Sequence, residues 1–111
     1  MSLIYKILPA REWDQAVAIG RFEGSAIDQR DGYIHLSAAD QAQETARLHL
    51  RGQQGLVLVV LESDALGEAL KWEPSRGGVL FPHLYGPLDV ALAQEVRPLS
   101  LGADGAPEIV L

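Results

Sequence analysis

Two short segments concentrate the side chains able to do chemistry near neutral pH. Asp31-Gly32-Tyr33-Ile34-His35-Leu36-Ser37 and Phe81-Pro82-His83-Leu84-Tyr85-Gly86-Pro87 each set a histidine among apolar residues and hydroxyls. If both are extended, alternation puts Tyr33, His35 and Ser37 on one face and Ile34 and Leu36 on the other. In the second segment Phe81, His83 and Tyr85 share a face. An imidazole can orient a ligand hydroxyl or phosphate, or pass a proton. Taken singly, either histidine reads as easily as a core residue bonded to backbone. Taken together they point to a cleft, because a small core rarely needs two histidines on strand faces. His35, Ser37, His83 and Tyr85 are its candidate lining.

A third segment, Trp72-Glu73-Pro74-Ser75-Arg76-Gly77-Gly78, offers an arginine before two glycines. Arg76 could reach an anion, and the glycines let backbone approach it closely. Glu73 reads as a ligand contact, a catalytic carboxylate or a solvated partner for Arg76. Trp72, Glu73 and Arg76 are placed at the rim. Ser37 also reads as the N-cap of a following helix, whose free amides would face an anion. His49, near a helix end, reads as structural or solvated.

Other chemistries lack their spacing. His35, His83 and a carboxylate show no local metal-ligand pattern, so no metal is expected. Ser37 is not in a Gly-x-Ser-x-Gly elbow, and there is no Walker loop or Gly-x-Gly-x-x-Gly.

The elements that must position these residues follow from periodicity. Leu3 to Leu8 reads as a strand interrupted by Lys6 and ended by Pro9. Trp13, Ala16, Val17 and Gly20 then predict a helix over about 10–19 with Gly20 as its C-cap. Arg21 to Asp31 reads as irregular. Asp31-Gly32 launches the first histidine strand. Ala38 to Leu50 reads as a second helix with Ala39, Ala42, Ala46 and Leu50 on its apolar side. Leu56 to Leu61 is continuously apolar and β-branched, the pattern of a strand covered on both faces. Leu66 to Trp72 returns, Glu73 to Gly78 is a loop, and Asp89 to Leu99 alternates as a strand. Strands outnumber helices and the helices come early, which predicts an α+β domain. Residues 1–101 form the single domain, and 102–111 a loose tail or last edge strand.

With 111 residues, 48 % of them hydrophobic, the chain can bury one core. A net charge of −6 and only 6 % aromatic residues exclude a basic, aromatic-rich surface for duplex nucleic acid. The chain has no cysteine, which removes disulfides, thiolate zinc sites and cysteine nucleophiles. The start has no signal-peptide architecture, and no apolar run is long enough to span a membrane. The expectation is a cytoplasmic protein, a monomer or weak homodimer.

The chain resembles the small bacterial family called domain of unknown function 952. The likeness is carried by Ile4-Tyr5-Lys6-Ile7, Glu12-Trp13, Gly24-Ser25, Asp28, both histidine segments through Leu88, Gln41 and Lys71-Trp72-Glu73. The resemblance implies an ADP-ribosylation-like fold, a split mixed or antiparallel sheet with two helices. A more distant likeness runs to RNA 2′-phosphotransferases, through His35-Leu36-Ser37, Leu56 to Asp64 and Ser75-Arg76-Gly77-Gly78. It implies a cleft for NAD, ADP-ribose or a related nucleotide, with NAD as substrate. In such a cleft the histidines would hold ribose or phosphate, and a carboxylate would stabilise a cationic sugar during transfer or hydrolysis at C1′. His35, His83 and Glu73 are the catalytic candidates. The few basic residues and the lack of an alignable late glutamate favour the alternative, a ligand-binding or protein-interaction module without catalysis.

Overall fold

The computed structural model describes residues 2–111. Strand β1, Leu3–Pro9, runs directly into helix α1, Ala10–Ile19, with Pro9 as N-cap. Pro9 suits this place because its fixed φ and missing N–H cost nothing at a helix start. The helix buries Trp13 and Ala16 and closes on Gly20 at φ +91°, whose N–H reaches the carbonyls of Ala16 and Val17.

Strand β5, Leu56–Glu62, lies antiparallel to β1 along its whole length, from Leu3 opposite Glu62 to Pro9 opposite Leu56. Val57, Val59 and Leu61 face the main core with Ile4, Leu8, Trp13 and Phe22. Leu58 and Val60 pack with Tyr5 on the other face, beneath Ile7, Leu99 and Ile109. Coverage of both faces is what the unbroken apolar run predicts. Two short strands flank this pair: β4, Ser37–Ala38, beside β1, and β9, Glu95–Pro98, beside β5.

Two smaller sheets complete the fold. β2, Arg21–Phe22, pairs with β8, Leu88–Asp89. β3, Ile34–His35, and β6, Leu70–Pro74, flank β7, Leu80–Leu84. Every strand pairing is antiparallel. The chain is a single compact α+β domain with antiparallel sheets and few helices.

Several local expectations need correction. Among the described residues there are three α-helices, not two: α1, α2 over Ala26–Asp31 and α3 over Ala42–His49. The stretch read as irregular holds both β2 and α2. A six-residue helix is marginal alone, and this one is held by a capping box between Ser25 and Asp28. The second helix starts at Ala42 rather than Ala38. Ser37 and Ala38 are instead paired to Tyr5 and Ile4 of β1, and the Gln41 Oε1 accepts from the Ala38 N–H at 2.9 Å to shape the turn. Ser37 is therefore a strand residue, not an N-cap. The strand expected over Asp89 to Leu99 is interrupted, because the Asp89 carboxylate accepts from the Ala91 N–H at 2.9 Å and closes a 3-10 turn over Val90–Leu92. Alternation survives only in β9.

The segment 102–111 folds back on α3 as neither a free tail nor a sheet strand. The Gly102 N–H donates to the Ala106 carbonyl at 2.7 Å, closing a turn. The Gln43 side chain donates to the Pro107 carbonyl at 3.0 Å and accepts from the Ile109 N–H at 2.8 Å. Among the described residues no helix is long and apolar enough to cross a membrane.

Candidate functional site

The pairing of β3 with β7 sets His35 directly opposite His83, and Ile34 opposite Leu84. Ile34 and Leu84 are buried in the main core. The histidines point to the opposite face, with ring centroids 5.8 Å apart in an edge-on arrangement. Tyr33 lies between the two strands' side chains. Its ring stacks on His83 at 4.0 Å and touches His35 at 4.6 Å and Tyr85 at 5.3 Å.

Strand β6 adds a carboxylate on the far side of β7. Glu73 is the register partner of Phe81, so it shares the face of Phe81 and His83. Glu73 Oε1 lies 2.8 Å from His83 Nδ1 and accepts from the Tyr85 hydroxyl at 2.7 Å. An ionised carboxylate only accepts, so His83 donates from Nδ1, and in the neutral ring the lone pair is then on Nε2. His83 Nε2 makes no hydrogen bond among the described residues. The Tyr85 and His83 hydrogen bonds hold the Glu73 carboxyl below its usual range. The same Glu73 contact pushes the Tyr85 phenol up to about 12.

His35 is fixed by a different carboxylate. Asp28 Oδ1 lies 2.6 Å from His35 Nδ1 and accepts from the His35 backbone N–H at 3.1 Å. Lys6 donates to Asp28 Oδ2 at 2.8 Å and to the His35 carbonyl at 3.0 Å. Asp28 Oδ2 also accepts from the Ser25 N–H at 2.9 Å. Asp28 and Lys6 are both buried. Burial alone would raise the Asp28 carboxyl, but the His35 hydrogen bond and the Lys6 charge outweigh it and hold Asp28 well below the carboxylate range. Burial also lowers the Lys6 ammonium, against the pull of Asp28. At the exposed edge Asp31 Oδ2 lies 3.0 Å from His35 Nε2, so both ring nitrogens of His35 are engaged.

Gly24 explains how Asp28 comes so close to the chain. Its φ is +104°, and a Cβ there would sit 2.9 Å from Asp28 Cβ. Only glycine fits both demands.

The same face continues toward α3. The Arg76 guanidinium stacks on Phe81 at 4.9 Å and donates to the Thr45 hydroxyl at 3.4 Å. The Ser37 and Thr45 hydroxyls are also 3.4 Å apart. Ser37 and Arg76 thus belong to this end, not to the histidine pair. Trp72 belongs to neither. It alternates with Glu73 on β6 and faces with its partner Pro82 to the other side of the sheet, 41 % exposed. His49 is exposed.

A depression of about 360 Å³ is lined by Glu23, Asp28, Gln29, Tyr33, Ile34, Leu84 and Pro87, with Gly32 and Gly86, and neither His35 nor His83 lines it. That volume lies at the lower end for small-molecule sites. Among the described residues no group of three or more histidines, aspartates and glutamates is arranged to hold a metal.

Sequence reasoning named Glu73, His35 and His83 but missed the roles of Asp28, Lys6 and Thr45. Ser25-Ala26-Ile27-Asp28 is a capping-box spacing that signals α2 and a placed carboxylate. Lys6 inside an otherwise apolar strand signals a buried partner of opposite charge.

Comparison with known proteins fits this architecture. The family model "Protein of unknown function (DUF952)" matches residues 7–96. The crystal structure of protein CC0527 from Caulobacter crescentus is similar at 60 % identity and a TM-score of 0.94, covering 96 % of this chain and 94 % of that one. The solution NMR structure of CC0527 gives 60 % identity and a TM-score of 0.88, covering 97 % and 93 %. Among curated proteins none matches. With the family model spanning residues 7–96 and a solved relative at 60 % identity, the chain belongs to the DUF952 family of proteins of unknown function.

Proposed function

We propose that the face carrying His35, His83, Tyr33, Tyr85 and Glu73 binds a small ligand of the nucleotide class, with NAD and ADP-ribose as the leading ligands. The observation that carries this reading is the pairing of two histidines side by side, each oriented through Nδ1 by its own carboxylate. Such second-partner fixing sets tautomer and direction, as sites that hold or deprotonate a ligand require. The split into three antiparallel sheets supports reading the fold as ADP-ribosylation-like.

The two histidines take different parts. His35 has both nitrogens engaged, so it suits ligand orientation. His83 has Nε2 uncommitted and suits proton transfer. With NAD, the bond from ribose C1′ to nicotinamide breaks and its electron pair leaves with nicotinamide. Water or another hydroxyl bonds to C1′, and its proton passes to His83 Nε2. Glu73, ionised at neutral pH, stabilises the cationic sugar.

A second reading is a binding module without turnover. Glu73 Oε1 is already engaged by both Tyr85 and His83, which favours a ligand held without chemistry. Calorimetric titration with NAD, ADP-ribose and AMP, coupled to an assay for released nicotinamide, tests both. Binding lost in a His35→Ala/His83→Ala double variant supports the site, and nicotinamide release lost with it supports the enzyme. Binding without release supports the module. No binding by any of the three ligands overturns both.

A further inference from the structure

Among the described residues Arg11, Arg51 and Arg76 make no ion pair, and of these three Arg76 alone is partly buried. Arg21, Arg30, Arg47 and Arg97 each sit within ion-pair distance of an acidic side chain. Arg76 is partly buried and forms no ion pair among the described residues, in a chain of net charge −6. The carboxylate on the same sheet face, Glu73, is turned to His83 and Tyr85. What holds the guanidinium is the Phe81 ring at 4.9 Å and the Thr45 hydroxyl at 3.4 Å. Both Nη1 and Nη2 reach Thr45 Oγ1 only at that long distance, so its strong donor capacity is unspent. The Ser37 hydroxyl adjoins Thr45 and is itself buried.

We propose that Arg76, seated on Phe81 and flanked by Thr45 and Ser37, is the subsite for the phosphate of a ribose-phosphate ligand whose sugar lies at His83. A guanidinium braced on an aromatic face presents a planar fork that matches a phosphate. Two hydroxyls beside it supply further donors. Phe81 and His83 are two residues apart on one strand face, roughly 7 Å. That span is comparable with the reach of a ribose 5-phosphate from its phosphorus to C1′. The inference deepens the proposed function and rests on it for the position of the sugar.

The test compares adenosine with AMP by amide and side-chain NMR titration. In the unaltered protein AMP binds more tightly than adenosine, by roughly tenfold or more for a charge-assisted contact. Arg76→Ala abolishes that advantage and Arg76→Lys keeps only part of it. Arg11→Ala, at an exposed arginine on α1, leaves it intact. Thr45→Val reduces it and serves as the second variant if Arg76→Ala disturbs the amide spectrum. Adenosine and AMP binding equally, with shifts at Tyr33 and His83, overturns the phosphate subsite and leaves the histidine site standing. If neither binds, inorganic phosphate decides the subsite by itself, and the histidine-site reading is decided by the NAD and ADP-ribose titrations. Saturable shifts of the Arg76 Nε–H and of the Thr45 amide, the latter lost in Arg76→Ala, support it, and their absence overturns it.

Discussion

His35 and His83 are direct cross-strand partners, with ring centroids 5.8 Å apart on the face of the small sheet opposite Ile34 and Leu84, His35 partly exposed and His83 buried. The contact joins the two segments that sequence alone marks for chemistry. It also joins two carboxylate systems, Asp28 with Lys6 on one side and Glu73 with Tyr85 on the other. Tyr33 fills the space between the rings.

The first prediction concerns the buried ion pair. Asp28→Ala strands the Lys6 ammonium in the core and removes a partner from His35, Ser25 and Lys6 together. Breaking one side of a buried pair costs about 3–5 kcal/mol. Adding Lys6→Met to Asp28→Ala should recover part of that loss, because the orphan charge goes too. Urea denaturation of the single and double variants measures both effects. A loss under about 1 kcal/mol for Asp28→Ala contradicts the account.

Acid dependence follows from the same carboxylate. The Asp28 carboxyl is held below its ordinary value in the folded protein, so the unfolded chain takes up that proton first as pH falls. The stability it contributes is complete above the ordinary value of about 4 and is lost as pH falls through the folded value. Denaturation midpoints should be level from neutrality down to about pH 5 and fall below about pH 4. Asp28→Ala should give a shallower fall over that acid range.

Glu73 and Tyr85 make a spectroscopic prediction. The carboxylate accepts from the phenol and pushes it up to about 12. Glu73→Gln removes the negative charge, so this tyrosine should titrate nearer its ordinary value of about 10. Tyrosinate absorbance against pH measures the change, and Tyr85→Phe identifies the transition. An unchanged titration in Glu73→Gln means the pair does not form in solution.

Gly24 predicts a steric effect. Gly20, Gly24 and Gly32 all have positive φ, but only at Gly24 would a Cβ meet a neighbour within 4 Å, Asp28 Cβ at 2.9 Å. Alanine at each costs about 1 kcal/mol or more for the backbone alone. Gly24→Ala should cost the most and should also shift the His35 resonances, since Asp28 must move. Thermal melts of the three variants rank them.

The legible parts of the fold are those with a strong local signal. Pro9, the spacing of Trp13 and Ala16, and Gly20 bound α1 at both ends. The run at β5 declares a strand buried on both faces, and the histidine segments declare their alternation. Short elements were hidden because their stability is tertiary. β2 needs β8, and α2 needs the Ser25–Asp28 capping box and the Lys6 contact. Ser37 resembles an N-cap in sequence, but pairing with Tyr5 claims its backbone for a strand. Trp72 adjoins Glu73 in sequence, yet strand alternation sends it to the other face. The site carboxylate Asp28 was obscured because the residues around it show no period, while its partner Lys6 lies on another strand.

Nitrogen-detected NMR of the imidazoles during addition of ADP-ribose tests the central claim most directly. The account predicts His83 as the Nδ1–H form with Nε2 unprotonated before addition. It predicts saturable shifts at both His35 and His83 on binding, with those of His35 lost in His83→Ala. A His83 proton on Nε2 alone, or histidine resonances unmoved at saturating ADP-ribose, would contradict it.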